Sequence, residues 1–472
     1  MENALVFSIK NRLKSAQAAL DGFPWKLATV LYTLSWGSPL LRPNTLYWDD
    51  WAFIYGQPKT YLNKIFVDTG LPPWRALIDQ ELIAIGYWTV QVLTFLMFFA
   101  AGIFIFAIFQ KIKIFTIEQT RFITIIFLII PINHSRIALV LFGYTTSYFL
   151  FFLAWLIIVR SRTLKMFFCA TAIFFWSFMT HSLLFFYLLP IIHFFILQST
   201  YFNRSIRDKI LIAKTISLVS LPFVYYLMRS WLWYPKPEWN GYHSFRVDGA
   251  TKGLVLLIFG TLIVGSFEYL VKRTRPIAIS PMILTAGWVV FAWGLFPYFA
   301  SFRLIDYVSV IALRSDWGGR NIMLAPIGAA LLLSGLADLI TINLRKLFRS
   351  IIISVFIVIN ILFGTQIYLD SLKKNELTTL FVDANRSGLI TPESRIIFLD
   401  ETKTFNTRFS TYRDPELEDK LAIAEVSATS ITGKVTCSKT QGGLEVKLIT
   451  NKSYLDALFS RDLGLQLEFN EC

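Results

Sequence analysis

Long apolar runs, broken by short polar and basic punctuation, fill the first 370 residues of the chain. Windows near 23–41, 86–109, 120–133, 138–159, 166–181, 183–198, 210–230, 252–271, 281–299, 322–341 and 350–369 each approach the length needed to cross about 30 Å of hydrocarbon, which predicts about eleven transmembrane helices. Some windows are short or contiguous, 166–181 and 183–198 most visibly. Beyond residue 370 the long runs stop, and Asp, Glu, Thr and Ser become frequent. Arg395–Asp400, Leu444–Ile449 and Leu465–Phe469 read as short strands, and Asp414–Ala424 as a helix. The pattern predicts an all-α polytopic membrane domain over 1–370 and a small soluble α/β domain over 371–472.

Composition strengthens the membrane reading. The chain is 55% hydrophobic and 16% charged, and its mean hydropathy is +0.55, so lipid is the solvent for most of it. A net charge of +14 could point to nucleic acid. The Lys and Arg residues lie between apolar runs instead of forming one basic surface, which excludes that partner in favour of a membrane. Lys10/Arg12/Lys14, Lys111/Lys113, Arg160/Arg162/Lys165, Arg204/Arg207/Lys209, Lys272/Arg273/Arg275 and Arg345/Lys346/Arg349 share one side if eleven spans are right. Basic loops stay cytoplasmic, which predicts a multi-pass bacterial inner-membrane protein with a cytoplasmic N-terminus and a periplasmic C-terminal domain. Residues 1–22 and the apolar stretch after them carry no small-residue cleavage site, so an uncleaved first span is expected. Cys169 reads as a buried packing residue, and Cys437 with Cys472 as a periplasmic disulfide.

The loop after the first span carries the strongest chemical signal, Tyr47-Trp48-Asp49-Asp50-Trp51. An aromatic belt explains the rings, but membrane anchoring does not call for adjacent carboxylates. A carboxylate partly desolvated at the surface, beside a like charge, would carry a raised pKa and suit a general base acting on a hydroxyl acceptor. Arg303, Arg314 and Arg320 fall in a second outward loop, the last two flanking Asp316-Trp317-Gly318-Gly319. Their guanidinium groups could clamp a phosphate or anchor to lipid headgroups. His134 and Arg136 form a smaller cluster, open to a phosphate role or an interfacial turn. His181, at a helix turn, reads as a buried structural histidine. The ring-rich loop around Trp239, with Glu238, His243 and Asp248 in or just after it, offers stacking surface for a sugar or belt anchors.

With many spans, an acidic pair beside aromatic residues in the first outward loop, and a soluble C-terminal domain, the chain resembles the C-type (GT-C) membrane glycosyltransferases that use polyprenyl-phosphate-linked sugars. In size and layout it is most similar to bacterial enzymes that modify O-antigen and related surface glycans. The resemblance implies inverting transfer of a sugar from undecaprenyl phosphate to a polysaccharide or lipid-linked glycan acceptor at the periplasmic face. Asp49 and Asp50 match the acidic pair, with a slight preference for Asp50 as the base. Arg314, Arg320 and Arg303, then His134 and Arg136, would hold the donor phosphate, and Trp48, Trp51 and Trp239 the sugar. No cofactor is expected; a divalent ion on Asp49/Asp50 with Asp316 or Glu238 is possible but not favoured, since arginines can neutralise the leaving phosphate. Sugar, acceptor and linkage stay open. A transporter or flippase of lipid-linked glycan, and a non-enzymatic envelope assembly protein, are the alternatives. A transporter would carry ionisable residues inside its spans, where few occur: Glu268 and Asp338 lie near helix ends.

Overall fold

The computed structural model describes residues 20–42, 44–45, 47, 50, 59–112, 114–132, 134–161, 163–199, 209–236, 246–274, 282–301, 322–390, 395–402, 430–432 and 444–471. In chain order the helices are α1 (Trp25–Trp36), α2 (Ser38–Leu41), α3 (Lys59–Asp68), α4 (Pro73–Ile85), α5 (Tyr87–Ile112), α6 (Ile117–Ile129), α7 (Phe142–Arg160) and α8 (Leu164–Ser177). There follow α9 (Ser182–Phe186), α10 (Leu188–Ser199), α11 (Lys209–Leu232), α12 (Val247–Thr274), α13 (Ile283–Ala300), α14 (Ala325–Leu339) and α15 (Ile342–Arg386).

Among the described residues six helices are long and apolar enough to cross a membrane: α5, α7 with the turn before it (Leu139–Arg160), α11, α12, α13 and α15. The chain is a helical membrane protein, but eleven crossings are not confirmed. The other five windows fold into helices of fewer than 18 residues: α1, α6, α8, the α9–α10 pair and α14. Sequence breakers cut them short. Pro39 follows α1, Thr180-His181-Ser182 separates α8 from α9, and Asp338 ends α14. Pro131 forces Ile130 to extended backbone (φ −60°, ψ 127°), because the residue before a proline is pushed out of the helical region.

At thirteen residues, α6 rises only about 20 Å and stops inside the bundle. From Ile130 to Leu141 the chain turns back through 3-10 segments His134–Ile137 and Leu139–Leu141 before α7 descends. Non-helical backbone at membrane depth survives only where protein satisfies it. Two buried amides do so: Asn360 Nδ2 of α15 donates to the Ile129 carbonyl, and Gln91 Nε2 of α5 to that of Ile137. Stacked rings of Phe98, Phe127 and Tyr148, with centroids 5.0 and 6.0 Å apart along the series, fill the space below. Between α13 and α14 the backbones touch. A Cβ on Gly328 would fall 2.3 Å from Phe291 Cα, and one on Gly287 2.5 Å from Leu332 N, the small-residue contact by which membrane helices pack.

One end of the bundle gathers basic side chains around Asp338, which accepts from Gln119 Nε2 and lies 3.6 Å from both Arg345 and Arg349. Arg345 also donates to the last carbonyls of α14, capping it. At the opposite end α15 runs on past its apolar stretch and enters a second core. Leu369, Leu372, Leu377 and Phe381 of the helix pack there against Ile396, Phe398, Val446 and Leu448 of a four-stranded sheet. Its strands are β1 (Arg395–Asp400), β2 (Ser430–Thr432), β3 (Leu444–Thr450) and β4 (Leu465–Glu471), in the order β2-β1-β3-β4. β1 pairs in parallel with β2 and β3, and β3 antiparallel with β4. The three segments read from the sequence as strands are strands. The anticipated helix at Asp414–Ala424 and the Cys437–Cys472 disulfide lie outside the described residues. Cys169 is exposed on the outside of α8 and not buried, because among the described residues no neighbouring helix covers its side of α8.

Candidate functional site

Asp50 is fully buried, 0% exposed. Its Oδ1 accepts from the Val140 amide at 2.9 Å and its Oδ2 from the Tyr47 amide at 2.8 Å. The Leu139 amide also favours the charged form. The carboxylate therefore ties the segment after α2 to the orphan amides where α7 begins, a natural seat for an anion. Burial pushes its pKa up to about 7, against the opposing pull of those amides and of Lys374. Burial, the largest cause, outweighs every specific partner. Both Asp50 oxygens are thus engaged by backbone amides inside the protein.

Directly upstream of those amides, Arg136 is 8% exposed and His134 4%. The Arg136 guanidinium carbon lies 3.7 Å from the Phe98 ring centre and 4.0 Å from that of Trp36. The His134 ring is 4.9 Å from Phe363. Arg136 Nε and Nη1, His134 Nε2, Trp36 Nε1 and the Tyr148 hydroxyl are buried without hydrogen-bond partners. Ring faces compensate a cation in part, by about 0.5–2 kcal/mol. They do not satisfy N–H groups, and an unpaired buried charge costs several kcal/mol. Unpartnered N–H groups of this kind suit an anion.

A third element closes the site. Lys374, on the extension of α15, sits 5.5 Å over the Tyr47 ring and makes a long pair, 4.0 Å, with Asp370. Its neighbour Lys373, also buried, binds Asp400 of β1. The signal for these residues was present in the sequence as two adjacent lysines directly after an apolar run. Of the other candidates, Asp49, Trp48, Trp51, Arg303, Arg314, Asp316, Arg320, Glu238, Trp239 and His243 lie outside the described residues. Asp248 stands in the first turn of α12. His181 is half-buried, with its ring 6.1 Å from Tyr225. Among the described residues no group of three or more His, Cys, Asp or Glu side chains is placed to hold a metal ion. No family model matches the chain, and no curated protein or solved structure is significantly similar to it.

Proposed function

We propose that the protein is a membrane glycosyltransferase that moves a sugar from a polyprenyl phosphate to a surface-glycan acceptor at the periplasmic face of a bacterial inner membrane. The observation that carries this reading is the buried, unpaired Arg136 guanidinium, with His134, next to the amides that hold the Asp50 loop. An activated sugar phosphate needs two things from the protein: cationic or N–H donors for the phosphate that leaves, and a base for the hydroxyl that attacks. Arg136, Trp36 Nε1 and His134 supply the first. For the second we assign Asp49 as the base and Asp50 as the positioning residue, since both Asp50 oxygens are engaged by backbone amides. Arg303, Arg314 and Arg320 would add to the phosphate clamp, and Trp48, Trp51 and Trp239 would stack on sugar.

Purified protein given a polyprenyl-phosphate-linked sugar and acceptor should release polyprenyl phosphate. Asp49→Asn should abolish release while the protein still accumulates in the membrane. Arg136→Met should abolish it too and raise the thermal midpoint, because an apolar side chain of similar length replaces an uncompensated buried charge. Normal release by both variants removes the reading. A buried cation is equally what a path for lipid-linked anions would carry, so translocation of the lipid without release would favour the flippase.

A further inference from the structure

Lys373 and Lys374 are consecutive residues of α15, 0% and 3% exposed. Neighbours on a helix point about 100° apart, so the two ammonium groups leave α15 in different directions. Lys373 turns to the sheet, where Asp400 Oδ2 at the end of β1 accepts from it. Lys374 turns to the segment after α2 and lies 5.5 Å from the Tyr47 ring centre. Asp370, itself buried, stands one turn earlier on the same helix, at the i,i+3 and i,i+4 spacings from which a carboxylate reaches either lysine. It pairs with Lys374 at 4.0 Å and also attracts Lys373.

The segment that begins at α2 follows α15 toward these lysines. Gly364 makes room for Ser38, whose Oγ lies 2.7 Å from where a Cβ would stand. The Arg42 guanidinium carbon is 5.4 Å from the Tyr368 ring centre, and Lys374 then covers Tyr47. From position 364 to position 374 these contacts climb about 15 Å of helix. The last of them reaches the candidate site, because the Tyr47 amide donates to Asp50 Oδ2 and Asp50 Oδ1 accepts from Val140. At the other end, Asp400 Oδ1 accepts from the Thr402 amide and hydroxyl at 3.0 and 2.6 Å, which leaves Oδ2 for Lys373. A buried ammonium needs an anion. Without Asp400, Lys373 would take Asp370 from Lys374.

We infer that Asp400 is a positioning residue of the candidate site: by holding Lys373 it reserves Asp370 for Lys374, and so keeps Lys374 seated on the Tyr47–Asp50 segment. The C-terminal sheet is then a brace of the site and more than an appendage to the membrane domain. Tyr47 and Asp50 bracket Asp49 in the chain, so the bearing of this brace on catalysis rests on the glycosyltransferase reading. The brace itself stands on the contacts alone. The sheet does not depend on Asp400 to stay docked, since Glu376 Oε1 of α15 accepts from the Leu463 amide at 2.7 Å and helix and strands share one apolar core.

Amide hydrogen exchange of the full-length protein in nanodiscs, read by mass spectrometry, tests this. Asp400→Asn keeps a carbonyl oxygen for Thr402 and removes only the charge. Peptides spanning the Tyr47 and Val140 amides should then exchange about tenfold faster or more, while β3 and β4 keep their protection. Asp400→Glu should stay close to wild type. Breaking the same pair from the other side should act differently: Lys373→Met leaves Asp370 to Lys374, so the Tyr47 and Val140 peptides should remain protected. Adding Lys373→Met to Asp400→Asn should restore their protection, because no second lysine contends for Asp370. Wild-type exchange in Asp400→Asn overturns the inference, as does equal loosening by Lys373→Met alone. Loosening that extends to the sheet and persists in the double variant overturns it too. Neither sugar donor nor acceptor enters the measurement, so its failure is separable from failure of the transferase reading.

Discussion

At the scale of single residues, Arg136 and Asp50 are charges far from water handled in opposite ways. Rings of Trp36 and Phe98 surround the arginine without occupying its N–H groups, while backbone amides occupy both oxygens of the aspartate. The first arrangement leaves binding capacity and the second uses it up. Asp50 also gives the fold a pH dependence of definite sign. Its carboxyl holds a proton up to about 7, against an ordinary value of 3.8. Between those values the folded protein binds more protons than the unfolded chain, so stability falls as pH rises through the window and levels off above it. Asp50→Asn should lose that slope, so its stability relative to the wild type should rise as pH goes from 4 to 8. Thermal midpoints of both forms between pH 4 and pH 8 test this, and a slope retained in Asp50→Asn would remove Asp50 as its source. The acidic pair was legible in the sequence as something beyond an aromatic belt. That Asp50 would be held by the Val140 amide was not, because that partner lies ninety residues away.

At the scale of elements, the broken hairpin between α6 and α7 is held by side chains from two other helices. Asn360 and Gln91 sit in apolar runs that read as ordinary spans, and nothing in their local pattern tells that each donates to a freed carbonyl. Pro131 was visible, but the depth at which the chain turns depends on α5 and α15. Asn360→Leu or Gln91→Leu should therefore destabilise the protein by about 1–3 kcal/mol each. The lost stability, read by thermal unfolding in detergent, should exceed that of Gln366→Leu on the same α15. Equal effects would mean that the carbonyls find other partners. The eleven-window count is not confirmed for the same physical reason. Hydropathy measures how apolar a segment is; whether the helix continues through a proline or a polar triplet is decided by what packs around it.

At the scale of the molecule, the sequence marked the passage from spanning helices to a strand-bearing region, and the second core begins at Leu369. It could not mark that a single helix would carry both. α15 has 45 residues, about 67 Å of uninterrupted helix, of which about 30 Å suffices to cross hydrocarbon. Inside the same helix Asn360 holds the hairpin, Lys374 faces Tyr47 of the Asp50 loop, and Lys373 grips β1. A helix with no hinge transmits tilt. A thinner bilayer makes a span lean to keep its apolar length covered, and here the lean would swing the sheet and slide Lys374 past the loop. Distances from a label on the sheet to the bilayer surface should change when nanodisc lipids are shortened by four carbons per chain, and release of polyprenyl phosphate should change with them. Membrane thickness would then act on this protein as an effector acts on a soluble enzyme, through a solid rod in place of a binding pocket.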